Sequence, residues 1–428
     1  MPRMRARGSR RAARLIPPLG RGAWRLLAGV LVFEIGTGMT LPLVIVYLHQ
    51  ARGLGLGGAG AAVSMIGAGG LAGTLGAGVI ADRYGAGRTA VGGLLLGGAG
   101  TAGYLAVHGV WSAMAAAGTQ GAGFAAAWVG MFPLLVRAVD PSLRGDVLGT
   151  NYGVTNVGLG LGSAIAGAVL AARPSAFTLL FTVDAVTYCL LALALVRLGA
   201  TRDAGPDGAS ADGPGYLTAA RDRTLVAATG INLLLVVAGY SQFSAAFPAW
   251  ATDHAGASRS LVGFAFAANT WAVAFAQLPA LAMIRGHRRT RAVAVTAALF
   301  SLCWLVVLGA GETASRMVAT AGLLAGPAVF GLGEALLSPS LPGIVNDVAP
   351  EALRARYVAV YSLSWQIGPI VGPAVSGAAL AAGQGVPLLL GLAAACALGA
   401  PAALLFERLV PERANRPLRL SRPGDAPA

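Results

Sequence analysis

Three acidic residues lie deep inside long apolar stretches of the chain: Glu34, Asp184 and Glu334. If those stretches cross a membrane, an ionised side chain at their centre costs roughly 2.5–3.5 kcal/mol on insertion scales, so each acid is a candidate for function. A carboxyl group is neutral with a proton and charged without it, which makes proton coupling the first chemistry to consider. Glu34 lies about ten residues into its apolar run, roughly 15 Å into a ~30 Å hydrocarbon core at 1.5 Å per residue. Glu34 is therefore the leading candidate for a proton-coupling residue.

The remaining reactive residues form no catalytic or metal-binding constellation in the sequence. Cys189, Cys303 and Cys396 all lie inside apolar runs, which favours packing roles over disulfides or a metal cluster. The four histidines are scattered along the chain, and neither a Walker-type phosphate loop nor a catalytic triad is present. The sequence therefore predicts a protein that is not an enzyme and uses no cofactor and no metal.

The composition is that of a membrane protein. Hydrophobic residues make up 56% of the 428 residues and charged residues 11%, whereas soluble domains carry about 25% charged residues. The net charge of +14 could suggest nucleic-acid binding, but the bases are all arginines in short loops between apolar runs. We therefore expect a lipid bilayer as the surroundings, a small-molecule substrate and protons as partners, and no nucleic acid.

Twelve apolar runs are long enough to cross a bilayer, which takes about 20 helical residues. They predict an all-α polytopic membrane protein with twelve transmembrane helices. The runs lie near residues 23–48, 56–80, 89–108, 110–136, 147–171, 175–198, 224–250, 260–284, 291–310, 317–345, 357–382 and 386–406.

The arginines predict the orientation of these helices. When residues at helix ends are counted with the adjoining loops, 27 arginines lie in the two tails (1–22 and 408–428) and the even-to-odd loops, against four on the opposite side. Arginine-rich loops stay in the cytoplasm, so both termini are expected there, in a multi-pass protein of the cell membrane. The first run is longer than the apolar part of a signal peptide, so we expect it to be a retained helix.

A Gly- and Pro-rich segment, residues 199–223, separates the sixth and seventh runs and is typical of a flexible cytoplasmic linker. It predicts two six-helix halves, residues 23–198 and 224–407. A shift of 210 residues superimposes several glycines and a Leu-Arg pair from helices 4 and 5 on helices 10 and 11, which favours a duplicated half.

The loop between the second and third runs carries Gly78, Asp82, Arg83, Gly85 and Arg88 in the order G-x-x-x-D-R-x-G-x-x-R. This order and its position resemble the signature loop of the major facilitator superfamily. Where that family usually has further bases, this chain has alanine and glycine, so only Arg88 can serve as the distal cation.

The resemblance implies both a fold and a role for the loop. The implied fold has two pseudo-symmetric halves around a central cavity, lined by helices 1, 4, 7 and 10, which ranks Glu34 and Glu334 above Asp184. The implied role is to hold the inward-closed state, here through Asp82 facing Arg137 or the positive N-terminal end of helix 11.

Helix 5 carries glycines in a spacing that partly matches the glycine motif of the drug:proton antiporters in that superfamily, and helix 11, its repeat partner, carries the Gly-Pro that helix 5 lacks. Glycines four residues apart allow close helix approach and prolines permit bending, so we predict packing or hinge positions. These positions are Gly149, Gly158 and Gly162 in helix 5 and Gly368, Pro369, Gly372 and Pro373 in helix 11. In helix 4, Ala117 replaces the arginine of the antiporter motif, so the role of that base does not transfer.

Five uncharged residues inside the runs are candidates for lining a substrate cavity: Asn151, Asn232, Asn269, Trp365 and Gln366. Each amide is more often an interhelical hydrogen bond than a ligand contact, and the tryptophan supplies either a flat apolar wall for an amphiphilic solute or a lipid-facing aromatic ring.

Together these features predict a monomeric secondary transporter that works by alternating access on an ion gradient. A mostly apolar core with one or two acids favours proton-coupled efflux of small amphiphilic drugs or secondary metabolites. The alternative is a proton-coupled importer of a small nutrient such as a sugar or organic acid, although such carriers usually have more polar or cationic groups in the core. A transporter-like sensor without flux is a third alternative.

Overall fold

The computed structural model describes residues 17–199, 219, 221–284 and 286–416, and these residues form helices and connecting turns with no β-strand. The predicted N-terminal tail up to residue 16, most of the predicted linker and the C-terminal tail from residue 417 lie outside the described residues. The all-α prediction is confirmed for the described part of the chain.

Twelve long helices run back and forth, as the apolar runs predict. The first six are α1 (Gly20–Ala51), α2 (Leu56–Tyr84), α3 (Ala86–Gly103), α4 (Val110–Arg137), α5 (Arg144–Ala172) and α6 (Phe177–Arg197). The second six are α7 (Arg223–His254), α8 (Arg259–Ile284), α9 (Arg289–Glu312), α10 (Arg316–Val348), α11 (Arg354–Ala381) and α12 (Gly385–Phe406). A short helix, α13 (Glu412–Asn415), follows.

Among the described helices, eleven are long and apolar enough by themselves to cross a membrane. The exception is α3, because seven of its 18 residues are glycine and its third residue is Arg88. These glycines let it pack closely in the bundle: a Cβ at Gly93 would lie 2.3 Å from the backbone nitrogen of Ala127 in α4. Helix α3 thus completes the set of twelve through packing against α4.

The two halves repeat one packing pattern. In the first half α1 packs on α5 and α6, α2 on α4, and α3 on α4 and α6. In the second half α7 packs on α11 and α12, α8 on α10, and α9 on α10 and α12. The same relations recur when six is added to each helix number, so the halves are pseudo-symmetric.

Glycines make the closest of these helix contacts possible. A Cβ at Gly162 of α5 would lie 2.1 Å from the carbonyl oxygen of Ile35 in α1, and one at Gly372 of α11 would lie 2.4 Å from the Ser241 Cβ in α7. Gly162 and Gly372 are 210 residues apart, and each holds its helix against the first helix of its own half. The offset found in the sequence therefore corresponds to equivalent contacts in the fold.

The backbones of the two halves meet near one end of the bundle. We call this the far end, because it lies opposite the terminal end at which α1 begins and α12 finishes. There a Cβ at Gly60 of α2 would lie 2.4 Å from the Pro373 carbonyl oxygen of α11, and one at Gly263 of α8 would lie 2.7 Å from the Ser163 carbonyl oxygen of α5. Toward the terminal end of α2, Gly76 and Gly78 have no described neighbour within 4 Å of a Cβ position. The bundle is therefore closed at its far end.

Helices α1 and α7 depart from regular α-geometry at matching places. Each finishes in a π-helical turn at the far end, Tyr47–Ala51 in α1 and Trp250–His254 in α7. A second π-turn, Val236–Tyr240, lies in the middle of α7. Such turns insert an extra residue and redirect the side chains that follow, and they are frequent at functional sites.

Candidate functional site

The acid Glu334 lies near the middle of α10 and is only partly buried. Its Oε2 atom accepts a hydrogen bond of 2.8 Å from the Nδ2 atom of Asn269 in α8. The same nitrogen also lies 3.2 Å from the carbonyl oxygen of Pro327. Asn269 thus holds the carboxylate at a defined position against α8.

Aromatic side chains complete the surroundings of Glu334. The hydroxyl group of Tyr240, at the end of the mid-helix π-turn of α7, faces the carboxylate. The Tyr240 ring lies 4.8 Å, centroid to centroid, from the ring of Trp365 in α11, which is 37% exposed. Tyr152 of α5 reaches across from the first half and lies close to Glu334 and Ser338. Glu334 therefore lies at the boundary between the halves, in a partly open site with aromatic walls.

Glu34 has a different environment. Only 2% of this residue is exposed. The Gly158 Cα of α5 lies directly against it, since a Cβ there would come within 2.6 Å of the Glu34 Cβ. Thr155, one turn earlier in α5, also lies near the carboxyl group. The structure therefore places Glu34 in the packed core of the first half and not in an open cavity.

Asp184 of α6 lies in the same buried region and within electrostatic reach of Glu34. Its Oδ2 atom accepts a hydrogen bond of 2.5 Å from the hydroxyl group of Thr40 in α1. Its Oδ1 atom faces α1 at Gly36, where a Cβ would lie only 2.9 Å away. The structure thus brings together two acids that the sequence ranks separately.

The other predicted cavity residues divide into two groups. The amide of Asn232 is satisfied between helices, because its nitrogen donates to Ser364 over 2.7 Å and its oxygen accepts from the Tyr361 hydroxyl over 2.8 Å. Asn269 and Trp365 belong to the Glu334 site. Two further candidates, Asn151 and Gln366, are partly buried in α5 and α11.

The predicted packing glycines also have differing surroundings. Gly158 and Gly162 pack closely against α1, and Gly368 and Gly372 pack closely against α7. The peptide groups of two prolines in α11 lie against α2: those of Pro369, opposite Gly67, and Pro373, opposite Gly60. Gly149, near the start of α5, has no described atom within 4 Å of a Cβ position.

The signature loop forms a tight corner between α2 and α3. Gly85 has a φ of +87°, a conformation that strongly favours glycine. Asp82 is exposed and makes no hydrogen bond or ion pair with a described residue, and the Arg83 guanidinium lies 5.5 Å from the centroid of the Tyr84 ring. Contact between Asp82 and Arg137, which the resemblance implies for a state closed at this end, is not formed here.

A polar network at the far end, formed by side chains outside the predicted site set, connects the two halves. Gln50 of α1 donates to Asp253 of α7 over 2.8 Å and accepts from the Arg259 Nε atom of α8 over 2.7 Å. The His49 Nε2 atom lies 3.3 Å from Asp253, and Arg259 also donates to the Pro174 carbonyl oxygen. We call His49, Gln50, Asp253 and Arg259 the far-end latch.

Sequence reasoning missed Tyr240, Tyr152 and Thr40 as partners of the membrane acids. Tyr240 and Tyr152 are two of nine tyrosines and carry no motif. Their positions beside Glu334 depend on the π-turn in α7 and on the approach of α5 to α10. Thr40 lies six residues after Glu34 but donates to Asp184, 144 residues away, so no local signal in the sequence identifies that contact.

The pseudo-symmetric halves, the boundary site and the closure at one end define a class of protein, a multi-pass helical carrier. A family model described as the Major Facilitator Superfamily matches residues 26–236 and 229–426. The chain therefore belongs to the Major Facilitator Superfamily. It is a secondary transporter of that type and not an enzyme, and the family predicted from the signature loop is confirmed.

Curated relatives match only a short part of the chain. A quinate permease of Neurospora terricola is 40% identical over 52 residues, which is 12% of this chain and 10% of the permease. An MFS-type transporter, qa-x, of Neurospora crassa is 40% identical over 50 residues, 12% of this chain and 9% of the relative. The match thus spans about a tenth of these relatives.

Solved structures match nearly the whole chain at low identity. A POT peptide transporter in complex with sulfate has a TM-score of 0.74 at 16% identity, covering 91% of this chain and 95% of the other. A POT family transporter in complex with 5-aminolevulinic acid has a TM-score of 0.74 at 15% identity, covering 92% and 99%. The nucleoside transporter NupG has a TM-score of 0.73 at 14% identity, covering 91% and 99%. These matches confirm the transporter fold.

Proposed function

We propose that the protein exports small amphiphilic organic cations in exchange for protons. The observation that carries this proposal is the Glu334 site at the boundary between the halves, in which one carboxylate lies beside Tyr240 and Tyr152 and Trp365 packs on the Tyr240 ring. A carboxylate attracts a cation by charge, and aromatic faces attract it through their quadrupoles while accommodating its apolar groups.

The distribution of arginines argues against an organic acid as the substrate. In the described helices every arginine lies within six residues of a helix end, so none reaches the middle of the bundle. A carboxylate substrate at Glu334 would meet a like charge with no nearby base to compensate it, which is unfavourable in a region of low dielectric constant. A cation without a carboxylate fits the site better than quinate or a peptide.

The closed far end supports one conformational assignment. If both termini lie in the cytoplasm, as the arginine distribution predicts, the far end faces the exterior and the carrier is in its inward-facing state. Asp82, which is exposed and pairs with no described residue, agrees with this assignment, because the role implied for it is to stabilise the opposite, inward-closed state. Substrate would then reach Glu334 from the cytoplasm, as an exporter requires.

The second candidate is a proton-coupled importer of a small nutrient. It is favoured by the names of the relatives, since one is a quinate permease and the structural matches include peptide and nucleoside transporters. The same fold serves both directions, so substrate charge and the direction of flux distinguish the two candidates.

The deciding experiment measures uptake of radiolabelled tetraphenylphosphonium and quinate into everted membrane vesicles whose interior is acidified. Valinomycin with equal K⁺ on both sides removes the membrane potential, so accumulation reports the proton gradient alone. We expect tetraphenylphosphonium to accumulate and quinate not to.

In the same vesicles, Glu334→Gln should lower tetraphenylphosphonium uptake by at least about tenfold, the effect of losing roughly 1.4 kcal/mol of binding free energy. Glu312→Gln is the matched control, because Glu312 is an exposed acid at the end of α9 that pairs with His254. Uptake of quinate into right-side-out vesicles, with no transport of the cation, would instead establish the importer.

A further inference from the structure

The outer surface of the second half carries two exposed, mostly apolar stripes, one on α9 and one on α12. These helices pack mainly on each other and on α10 and α7 of the same half, so their opposite faces lie on the outside of the bundle. Exposed positions recur there every three or four residues, as on one face of a helix. The stripes consist of Arg291, Val295, Ala298, Leu302 and Leu305 on α9, and of Ala394, Ala397, Leu398, Pro401, Leu404 and Leu405 on α12, with Arg408 just beyond it.

The two stripes lie side by side, and each ends in an arginine at the terminal end of the bundle. The helices are in close contact, because a Cβ at Gly399 of α12 would lie 3.1 Å from the Ala297 Cβ of α9. From Arg291 to Leu305 the α9 stripe is about 21 Å long at 1.5 Å per residue, which exceeds the roughly 15 Å of one hydrocarbon leaflet. A phospholipid whose acyl chains lie along the stripes therefore has its headgroup beside Arg291 and Arg408.

Positive charge is in excess at this headgroup position. Arg288 donates to Glu407, whereas the Arg291 Nε atom lies 3.9 Å from the same carboxylate, which is too long for a hydrogen bond. The Arg291 side chain is 68% exposed. Arg408 follows Glu407 directly and is exposed, and its side chain makes no hydrogen bond or ion pair with a described residue. Three guanidinium groups around one carboxylate leave two positive charges uncompensated.

The neighbouring acids of the described residues do not remove this excess. Asp347, at the end of α10, accepts a hydrogen bond of 2.5 Å from Arg289. Glu412 begins the short helix α13 and is followed directly by the exposed base Arg413. Each of these acids is thus matched by a base of its own, and the two charges at the ends of the stripes remain available to an anion.

We propose that Arg291 and Arg408 bind the phosphate group of an anionic phospholipid whose acyl chains lie along the stripes of α9 and α12. Guanidinium groups present paired N–H donors that match phosphate oxygens, and bases at the membrane surface between helices suit such headgroups. A zwitterionic headgroup brings a cation of its own, which the two arginines repel, so a lipid with net negative charge is preferred. This site lies on the outside of the second half and does not depend on which solute is carried.

Native mass spectrometry of the purified protein in detergent measures the binding of added phosphatidylglycerol and of phosphatidylcholine with the same acyl chains. We expect the wild type to prefer phosphatidylglycerol. Arg291→Gln and Arg408→Gln should each weaken its binding about five-fold, equivalent to about 1 kcal/mol per base, and the double variant roughly 25-fold. Arg413→Gln is the matched control, because it removes the same charge five residues after Arg408 but outside both stripes, and it should leave the affinity unchanged.

A second measurement locates the bound lipid. Phosphatidylglycerol with a photoreactive diazirine in its acyl chain is crosslinked to the protein, and the modified peptides are identified by mass spectrometry. We expect crosslinks within residues 291–305 and 394–408, and fewer of them in the double variant. Excess glycerol phosphate, which has the charge but no acyl chain, should not displace the lipid.

Four results would overturn the lipid site. Equal affinity of the wild type for both lipids would mean that the headgroup charge is not recognised. Equal weakening by Arg413→Gln would mean that the terminal end attracts anions through its net charge alone. Crosslinks confined to other helices would place the lipid elsewhere, and displacement by glycerol phosphate would indicate a simple anion site. None of these measurements uses transport, so the result is independent of the proposed function.

Discussion

Asn232 and Asn269 show how the surroundings of a side chain set its role. Both are buried amides in helices of the second half. The Asn232 amide nitrogen donates to Ser364 and its oxygen accepts from Tyr361, both in α11, so Asn232 links two helices. Asn269 directs its nitrogen to Glu334. The same residue type therefore serves helix packing in one place and a candidate substrate site in the other.

Glu407, just beyond α12, is the acid on which several contacts of the terminal end converge. It forms ion pairs with Arg288 and Arg291 and accepts a hydrogen bond of 2.9 Å from Thr290. Burial acts to raise the pKa of Glu407, but the hydrogen bonds and arginine charges outweigh it and hold the pKa below its usual range. The ionised form is thus favoured in the folded state and joins α12 to the loop between α8 and α9.

We expect Glu407→Gln to destabilise the folded protein by about 1 kcal/mol at pH 7, the scale of a partly exposed ion pair with hydrogen bonds. Because the folded-state pKa is depressed, this contribution is fully present above the unfolded pKa of about 4.3 and is lost as the pH falls through the folded value. Thermal unfolding in detergent at pH 7 and at pH 4 measures the difference. Glu412→Gln, at an exposed acid five residues away, is the control, and an equal loss at both pH values would contradict the ion-pair account.

At the residue level the sequence was sufficient to find the acids but not their partners. An acid within an apolar run is easily recognised, because placing its charge inside a membrane costs free energy. This criterion identifies Glu34, Asp184 and Glu334. Which of them faces a cavity depends on the rotation of each helix. For α1 that rotation is set by Gly158, a residue 124 positions away that leaves room for the Glu34 side chain. Single-sequence reasoning cannot assign such a contact.

At the scale of helices, closure of the far end depends on both backbone contact and the far-end latch. Small residues allow α2 to meet α11 and α5 to meet α8, and these contacts hold only in one arrangement of the halves. The latch adds directional bonds between α1, α7 and α8. Such a latch favours the state closed at the far end without contacting the candidate substrate site at Glu334.

We expect Asp253→Asn to shift the conformational equilibrium toward a state open at the far end. The substitution removes the charge that pairs with His49 and weakens the bond from Gln50, and a loss of about 1 kcal/mol changes the population ratio roughly five-fold. Nitroxide labels at Ala51 and Ser258, both exposed, report the separation of the halves by pulsed electron resonance. The control is Glu312→Gln, since Glu312 pairs with His254 inside one half. An unchanged distance distribution for Asp253→Asn would mean that the backbone contacts alone close this end.

At the scale of the whole molecule, most of the fold could be predicted from hydrophobic runs. Their length predicts twelve helices, and the confirmed family agrees with the signature loop at residues 78–88. Helix α3 shows the limit of this approach, because its glycines lower its apolar character while improving its packing. The irregular turns of α1 and α7, which arrange Tyr240 and the far-end latch, depend on contacts that hydropathy does not report.

The orientation of the whole bundle remains a prediction from arginine placement, and every proposed direction of transport depends on it. Ser210 lies in the predicted linker, outside the described residues, and Ser258 is exposed between α7 and α8 at the far end. Single cysteines there, Ser210→Cys and Ser258→Cys, are introduced into a chain in which the three native cysteines have been replaced by alanine, because Cys189 is exposed and would itself react.

With 27 arginines on the side of the termini and four on the other, we expect an impermeant maleimide to label Ser258→Cys in intact cells. The same reagent should label Ser210→Cys only in everted or permeabilised membranes. Labelling of both from one side would contradict the twelve-helix alternation, and labelling with the sides exchanged would make the described conformation outward-facing and reverse the proposed path of the substrate.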